Sequence, residues 1–482
     1  MADSLKQKTI KGVSWSFIEQ LLARGVNFFI GIVLARLLSP TDYGLIGLLS
    51  FFIAISQIFI DGGLSNALIR EQNASEADYS TVFFINLGVS FLFYILLFFL
   101  SPFVASFYNQ PLLTPLLRIN SLILIISSIA SVPGVLLTIR IDFKTKSIIS
   151  FLSALISGLV GIFCAVRGLG VWALVVQSLT QTTVFSIATF AFVNWLPALT
   201  FSKNSFKKLF SFSSKLLASS LINTVYNNAY NLVIGKKFSV RDVGIFSRAG
   251  QFPHIANDIF VGAFDRVAFP VLSRVQSDDR ELIHVYEKYI QSFCFFTFPL
   301  LMGICGCARP LILVVLTEKW IDCVPFMQII CFSLICSGLI AINLNLLQVK
   351  GRSDLLLRME IIKKIIMFIV MFVSMFFGLK AVCYSLILNT WIDLYFSSYY
   401  TKKILCYSLA QQLKVVFPYF LASLFVFAES FGISRFIQNP FISLSISLFV
   451  CPITYWFMAK IFDLYAYREI VSIIKVKFNM DK

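Results

Sequence analysis

The chain has 482 residues, of which 58% are hydrophobic and 13% charged, with a mean hydropathy of +0.85. A soluble protein carries roughly twice that charged fraction, so the composition excludes a soluble enzyme and indicates a polytopic membrane protein. The formal net charge of +16 is spread between hydrophobic runs and accompanies no nucleic-acid-binding motif, so it speaks to membrane orientation and not to DNA or RNA.

Hydropathy predicts an all-α protein with about 14 transmembrane helices. In chain order they fall at 12–38, 43–69, 79–103, 114–139, 147–166, 170–193, 209–235, 251–273, 284–308, 325–348, 359–377, 380–401, 414–433 and 440–461. Each has about 20 or more residues, enough for roughly 30 Å of hydrocarbon. An even number puts both termini on one side. With that side cytoplasmic, 27 of the 40 Lys and Arg residues fall on inner segments, as the positive-inside rule requires. Lys6, Lys8 and Lys11 resemble the start of a signal peptide, but the apolar run behind them is too long and reads as an uncleaved first span.

The first span carries Ser16, Gln20, Arg24, Asn27 and Gly31 at steps of three or four, which share one helix face. It exits into Ser39-Pro40-Thr41-Asp42-Tyr43-Gly44-Leu45. The seventh span carries Lys215, Ser219, Asn223, Asn227 and Asn231 at steps of four and exits into Ser239-Val240-Arg241-Asp242-Val243-Gly244-Ile245. The register of 200 holds upstream, where Asn27 aligns with Asn227, Val33 with Val233 and Arg36 with Lys236. A second register of 204 aligns Asp61 with Asp265, Leu68 with Leu272, Arg70 with Arg274 and Gln72 with Gln276, which implies a four-residue insertion. Turn chemistry alone favours Asp and Gly, but it does not account for the upstream match. The chain is therefore expected to be a parallel repeat with Gly44 and Gly244 in equivalent outer-face turns. The expected organisation is an N-terminal six-helix lobe (1–193), a cytoplasmic linker (194–208), a C-terminal six-helix lobe (209–403) and two additional transmembrane helices with a basic tail (404–482).

Polar groups inside spans are costly, so their placement is informative. Two polar stripes on equivalent lead helices point to a water-filled cavity between the lobes; interhelical hydrogen bonding is the alternative. Arg24 and Arg266 are the first candidates for binding an anion, because a guanidinium stays charged and holds phosphate with two parallel hydrogen bonds. Arg248 and Lys215 are the second, and Gln20, Asn27, Asn223, Asn227 and His254 are candidate cavity lining. Asp61, Asp258, Asp265 and Asp393 are candidate carboxylates for Na+ or H+ coupling, with structural pairing as the alternative for each. No catalytic set, Walker motif or metal cluster is present, and no other cofactor is expected. The ten cysteines lie in apolar surroundings, where packing is the main expectation. A Cys307–Cys323 disulfide at the outer face is a minor alternative.

The stretch Arg24–Gly44, with Asp61-Gly-Gly-Leu-Ser-Asn-Ala-Leu68, Gly244-Ile-Phe-Ser-Arg248-Ala and Phe269-Pro-Val-Leu-Ser-Arg274-Val-Gln276, resembles bacterial polysaccharide exporters. The chain is similar to the Wzx-type polysaccharide transporter family, in its colanic-acid-exporter-like branch, within the multidrug/oligosaccharidyl-lipid/polysaccharide exporter superfamily. The resemblance implies two six-helix lobes around a central cavity, two further helices, and flipping of undecaprenyl-diphosphate-linked oligosaccharide. In related lipid II flippases a first-helix Arg binds the diphosphate, and Arg24 is at a comparable place. There the extra helix pair lines a groove for the lipid tail, which implies the same for 414–433 and 440–461. The competing readings are a cation-coupled multidrug antiporter of the same superfamily and a membrane polysaccharide polymerase. The implied setting is the bacterial inner membrane, alongside a polymerase and glycosyltransferases.

Overall fold

The computed structural model describes residues 25–71 and 74–477; a few helix positions, Lys215, Asp265 and Arg266 among them, are described by their backbone alone. Among the described residues there is no β-strand. The chain forms two compact units, the first ending at Gly244 and the second beginning at Ile245.

The first unit holds α1 (Gly25–Leu37), α2 (Pro40–Asp61), α3 (Leu64–Arg70), α4 (Glu76–Tyr108), α5 (Leu113–Asn120), α6 (Leu122–Ile139), α7 (Phe143–Val166), α8 (Trp172–Val193) and α9 (Lys203–Lys237). It also contains the first turn of α10 (Val240–Arg274). After α10 the second unit holds α11 (Asp279–Gly306), α12 (Ala308–Val315), α13 (Cys323–Leu334), α14 (Ser337–Val349) and α15 (Ser353–Ser374). It finishes with α16 (Leu379–Leu405), α17 (Leu409–Phe436), α18 (Pro440–Ile461) and α19 (Tyr465–Lys477).

Among the described residues, nine helical segments are long and apolar enough to cross a membrane. The remaining expected spans correspond to α1, which is described from Gly25, and to α9, α10, α15 and α16, which are long but carry charges and amides. Three expected spans are each built from two helices. Gly62 and Gly63, both at positive φ, separate α2 from α3; α5 meets α6 at Ser121, and α13 meets α14 at Ile335–Cys336.

The repeated motif starts a helix in both copies. Ser39 Oγ accepts the Asp42 N–H at 3.3 Å while the Asp42 carboxylate accepts the Ser39 N–H at 2.8 Å, and Pro40 occupies the first turn. Ser239 Oγ accepts the Asp242 N–H at 3.1 Å. Gly44 and Gly244 therefore lie in the helices, not in the turns expected for them. Space is the reason for glycine. A Cβ on Gly44 would overlap the Val240 carbonyl oxygen, and one on Gly244 would overlap that of Pro40. Pro40–Arg70 is 31 residues and Val240–Arg274 is 35, which is the expected four-residue insertion. Leu68 and Leu272 are both fully buried, each on the last turn of a helix (α3 and α10) that ends on an Arg.

In the first unit α7 lies along α8, α6 packs on α4 and α8, and α9 packs on α2, α3 and α4. Leu64, Leu68, Val82, Val135, Ile149 and Leu209 share one core. The stretch expected as a linker is non-helical from 194 to 202 and is strapped to α4. Trp195 Nε1 donates to Glu76 at 2.9 Å, and the Ala198 and Ser202 N–H groups donate to Ser80 and Thr81.

In the second unit α17 lies along α11 and beside α18, while α13, α14 and α15 pack on α16. A polar knot pins these helices together. Tyr286 of α11 and Thr401 of α16 donate to Asn343 Oδ1, and Asn343 Nδ2 donates to Gln412 of α17 at 3.1 Å. Asn343, Thr401 and Gln412 are fully buried. Elsewhere long apolar side chains such as Phe99, Phe103, Phe441 and Phe449 stay exposed. That pattern fits a surface solvated by hydrocarbon, where outward-facing apolar groups cost nothing.

Apart from the exposed Cys406, the cysteines pack in apolar surroundings without the alternative Cys307–Cys323 bridge, and the placement of one cation is corrected. Cys307 and Cys323 are free thiols; Cys307 donates to the Gly303 carbonyl at 2.8 Å and Cys323 to that of Ile245 at 3.3 Å. Lys363, one of the 27 Lys and Arg residues placed on inner segments by the sequence, is instead buried within α15 at 2% exposure.

Candidate functional site

The site begins with α9. Thirty-five residues make it longer than the hydrocarbon requires, and Ser202 caps its start by accepting the Ser205 N–H. Asn223 and Asn227, one turn apart, are both exposed in the first unit, whereas Ala229, Tyr230 and Ile234 are buried against it. An amide exposed to lipid would leave several hydrogen-bonding groups unmet, so this face fits water.

Helix-to-helix polar contacts look different here. Asn86 of α4 donates to Ser131 of α6 at 3.1 Å, and the Ser90 and Ser128 hydroxyls meet at 3.0 Å. Those groups are bonded to each other inside the unit, which is adhesion between helices. Gln57 of α2 belongs partly to that class, since it accepts from Ser127 of α6 at 3.2 Å. Asn27 of α1 is half-buried. Asp61 ends α2 and accepts the Ser65 hydroxyl one turn on.

In the second unit, α10 carries every candidate except Asp393. Arg248 donates to Gln251 one turn along, which aims its guanidinium down the helix. His254 and Asp258 are exposed one turn apart, and with Gln251 their positions fall within about 60° of arc. Asn257, turned inward, accepts the Ser337 hydroxyl of α14 at 2.6 Å. Asp265 and Arg266 continue the same helix toward its end.

Arg24 and Gln20 lie outside the described residues, as do the side chains of Lys215, Asp265 and Arg266. The structure joins Arg248, His254 and Asp258 on α10 and Asn223 with Asn227 on α9. It sets Asp393 apart, on α16, where its carboxylate accepts from Lys363 Nζ of α15 at 2.8 Å.

Sequence reasoning missed three groups. Lys363 also pairs with Glu360, so one buried ammonium serves two carboxylates. The signal was an acid three residues before a Lys inside an apolar run. Arg118 of α5 lies 4.1 Å from the Phe98 ring centroid and donates to Ser101 at 3.0 Å. Glu429 of α17 accepts from Thr454 of α18 at 3.0 Å, placing a carboxylate within the extra helix pair.

The family described as "Polysaccharide biosynthesis protein" matches residues 33–325, well over half of the chain. The chain belongs to that family. The matched stretch contains both copies of the motif, all of α9 and all of α10; Lys363 and Asp393 lie beyond it. Among similar proteins, the succinoglycan biosynthesis transport protein ExoT of Rhizobium meliloti is 24% identical over 69% of this chain and 68% of its own. The teichuronic acid biosynthesis protein TuaB of Bacillus subtilis is 26% identical over 73% of each chain. The lipopolysaccharide biosynthesis protein WzxC of Escherichia coli is 25% identical over 75% of this chain and 74% of its own.

The fold is that of the lipid II flippase MurJ in an inward closed conformation, with a TM-score of 0.77, 14% identity, and coverage of 95% of this chain and 99% of that one. A multidrug resistance MATE family transporter in its inward-facing conformation follows at 0.58, with 14% identity and 85% and 95% coverage. This family member is therefore a multi-pass membrane protein, helical and without strands among the described residues, with the fold of those two transporters.

Proposed function

We propose that this chain moves undecaprenyl-diphosphate-linked oligosaccharide units across the bacterial cytoplasmic membrane by alternating access, for O-antigen, capsule or exopolysaccharide assembly. The observation that carries the proposal is the exposed Asn223–Asn227 face on a membrane-length helix of a polysaccharide biosynthesis family member. The named transport and biosynthesis relatives and the fold shared with a lipid II flippase support it.

A sugar diphosphate loses its hydration in hydrocarbon, so it needs a pathway that replaces that hydration. In this proposal Arg24, Arg266, Arg248 and Lys215 hold the diphosphate, and Gln20, Asn27, Asn223, Asn227 and His254 hydrogen-bond the head group. Asp61, Asp258 and Asp265 are the carboxylates that would exchange Na+ or H+. Asp393 is assigned to Lys363 instead. No covalent step is required, so no enzymatic activity is assigned. Both termini lie in the cytoplasm, and a polymerase and glycosyltransferases act on either side of the transport step.

A second reading, a cation-coupled multidrug antiporter, draws on the exposed His254 and Asp258 and on the MATE fold likeness. One experiment separates the two. Polyprenyl-diphosphate oligosaccharides are extracted from a deletion strain, and intact cells are treated with a membrane-impermeant sugar-modifying probe. Complete units that accumulate but stay unmodified support the flippase. Complete units that are modified overturn it, because translocation then proceeds without this chain. A strain with no accumulation but heightened drug sensitivity supports the antiporter.

A further inference from the structure

The second unit has a cleft of about 300 Å³ where α19 lies beside α10 and α11. Its floor is apolar, made by Phe264, Phe296 and Ile470. Phe296 stacks on Phe260 with centroids 5.9 Å apart and remains exposed on its other side, as do Val267 and Phe269. The slot therefore continues into an outward apolar surface of the kind that hydrocarbon covers.

Among the described residues lining the cleft, one cation and one anion stand beside the Tyr465 phenol. Lys288 Nζ stands 5.5 Å from the Tyr465 ring centroid, and Glu469 accepts the Tyr465 hydroxyl at 2.5 Å. The surroundings are those of a membrane interface. Trp456 and Tyr467 pack edge to face at 4.8 Å, and α19 turns Ala466, Tyr467 and Ile470 to the core while Arg468 and Glu469 face out.

A ligand matching this cleft has an apolar chain, a phosphate and a protonated amine. An anionic phospholipid meets Lys288 but leaves Glu469 uncompensated. A choline phospholipid brings positive charge with no N–H to donate, whereas an ethanolamine head donates charge-assisted hydrogen bonds. We propose that the cleft binds an ethanolamine phospholipid, with its phosphate on Lys288, its ammonium on Glu469 and an acyl chain over Phe264 and Phe296. The lipid then fastens α19 to α10 and α11.

The test uses the full-length protein, delipidated in detergent and titrated separately with palmitoyl-oleoyl phosphatidylethanolamine, phosphatidylcholine and phosphatidylglycerol under native mass spectrometry. The wild type is expected to bind the ethanolamine lipid about fivefold more tightly than either other lipid, the value of one partly exposed hydrogen bond. Glu469→Gln is expected to erase the preference over phosphatidylcholine, and Lys288→Gln to weaken both zwitterionic lipids. Equal affinities for the three lipids in the wild type overturn the proposal without recourse to any variant. An ethanolamine preference that survives in both variants overturns it as well.

Discussion

Gly44 and Gly244 are packed reciprocally: each lies against the backbone carbonyl of the residue that opens the other's helix, Val240 for Gly44 and Pro40 for Gly244. Those four positions match in pairs at a spacing of 200 residues. Two copies of one motif thus meet through equivalent atoms, as a local two-fold relation requires, and both start helices at the same level. Convergent turn chemistry explains an Asp and a Gly in each copy, but not their mutual contact.

This contact predicts a steep, local sensitivity. Gly44→Ala and Gly244→Ala each force a methyl into a carbonyl oxygen and are expected to cost about 1–3 kcal/mol, the range for overpacking. Gly88→Ala, where nothing lies within 4 Å of the new Cβ, is expected to be neutral or to gain about 1 kcal/mol of helix propensity. Thermal melts in detergent check this. Equal melting temperatures for all three variants would remove the close contact.

The buried Lys363 predicts a charge-coupled pair of substitutions. Lys363→Met leaves Glu360 and Asp393 without their shared cation, at an expected cost of about 3–5 kcal/mol. Adding Asp393→Leu should recover part of that loss, so the double-mutant cycle is strongly non-additive. Additive losses would show that the pair is not coupled.

Asn227→Cys tests whether the exposed asparagine face of α9 meets water. Of the ten cysteines only Cys406 is exposed, so a Cys406→Ser background is quiet. The thiol introduced by Asn227→Cys is expected to react with a membrane-impermeant maleimide, while one introduced by Phe103→Cys, at an exposed apolar position, is not. Failure of the Asn227→Cys protein to react in every transport state would return the asparagine stripe to interhelical adhesion.

Arg24→Ala is expected to keep expression and melting temperature while lowering translocation at least about tenfold, the value of one charge-assisted contact. Arg24→Lys should retain part of the activity, since charge survives and the bidentate fork does not. Normal export by a well-expressed Arg24→Ala protein would take Arg24 out of the mechanism.

Much of the architecture was legible in the chain. Among the described residues each expected span has a helix or a pair of helices over it, because hydrocarbon imposes length and composition on each helix independently of its neighbours. The repeat was legible for the same reason that it is structurally useful: Leu68 and Leu272, or Arg70 and Arg274, occupy equal places in two copies.

Residue pairing across helices was not legible. Lys363 reads as a flanking cation until α16 brings Asp393 to it, and Cys307 and Cys323 read as a potential bridge until each finds a carbonyl. The sequence by itself determined the membrane class, the helices, the duplication and the family, because those depend on composition and on spacing along one chain. Only the tertiary structure decided why Gly44 must be glycine, which polar groups bond across helices and which stay exposed, and that Asp393 belongs to an ion pair. Those properties depend on which atom lies across the gap, and no periodicity along a single helix encodes it.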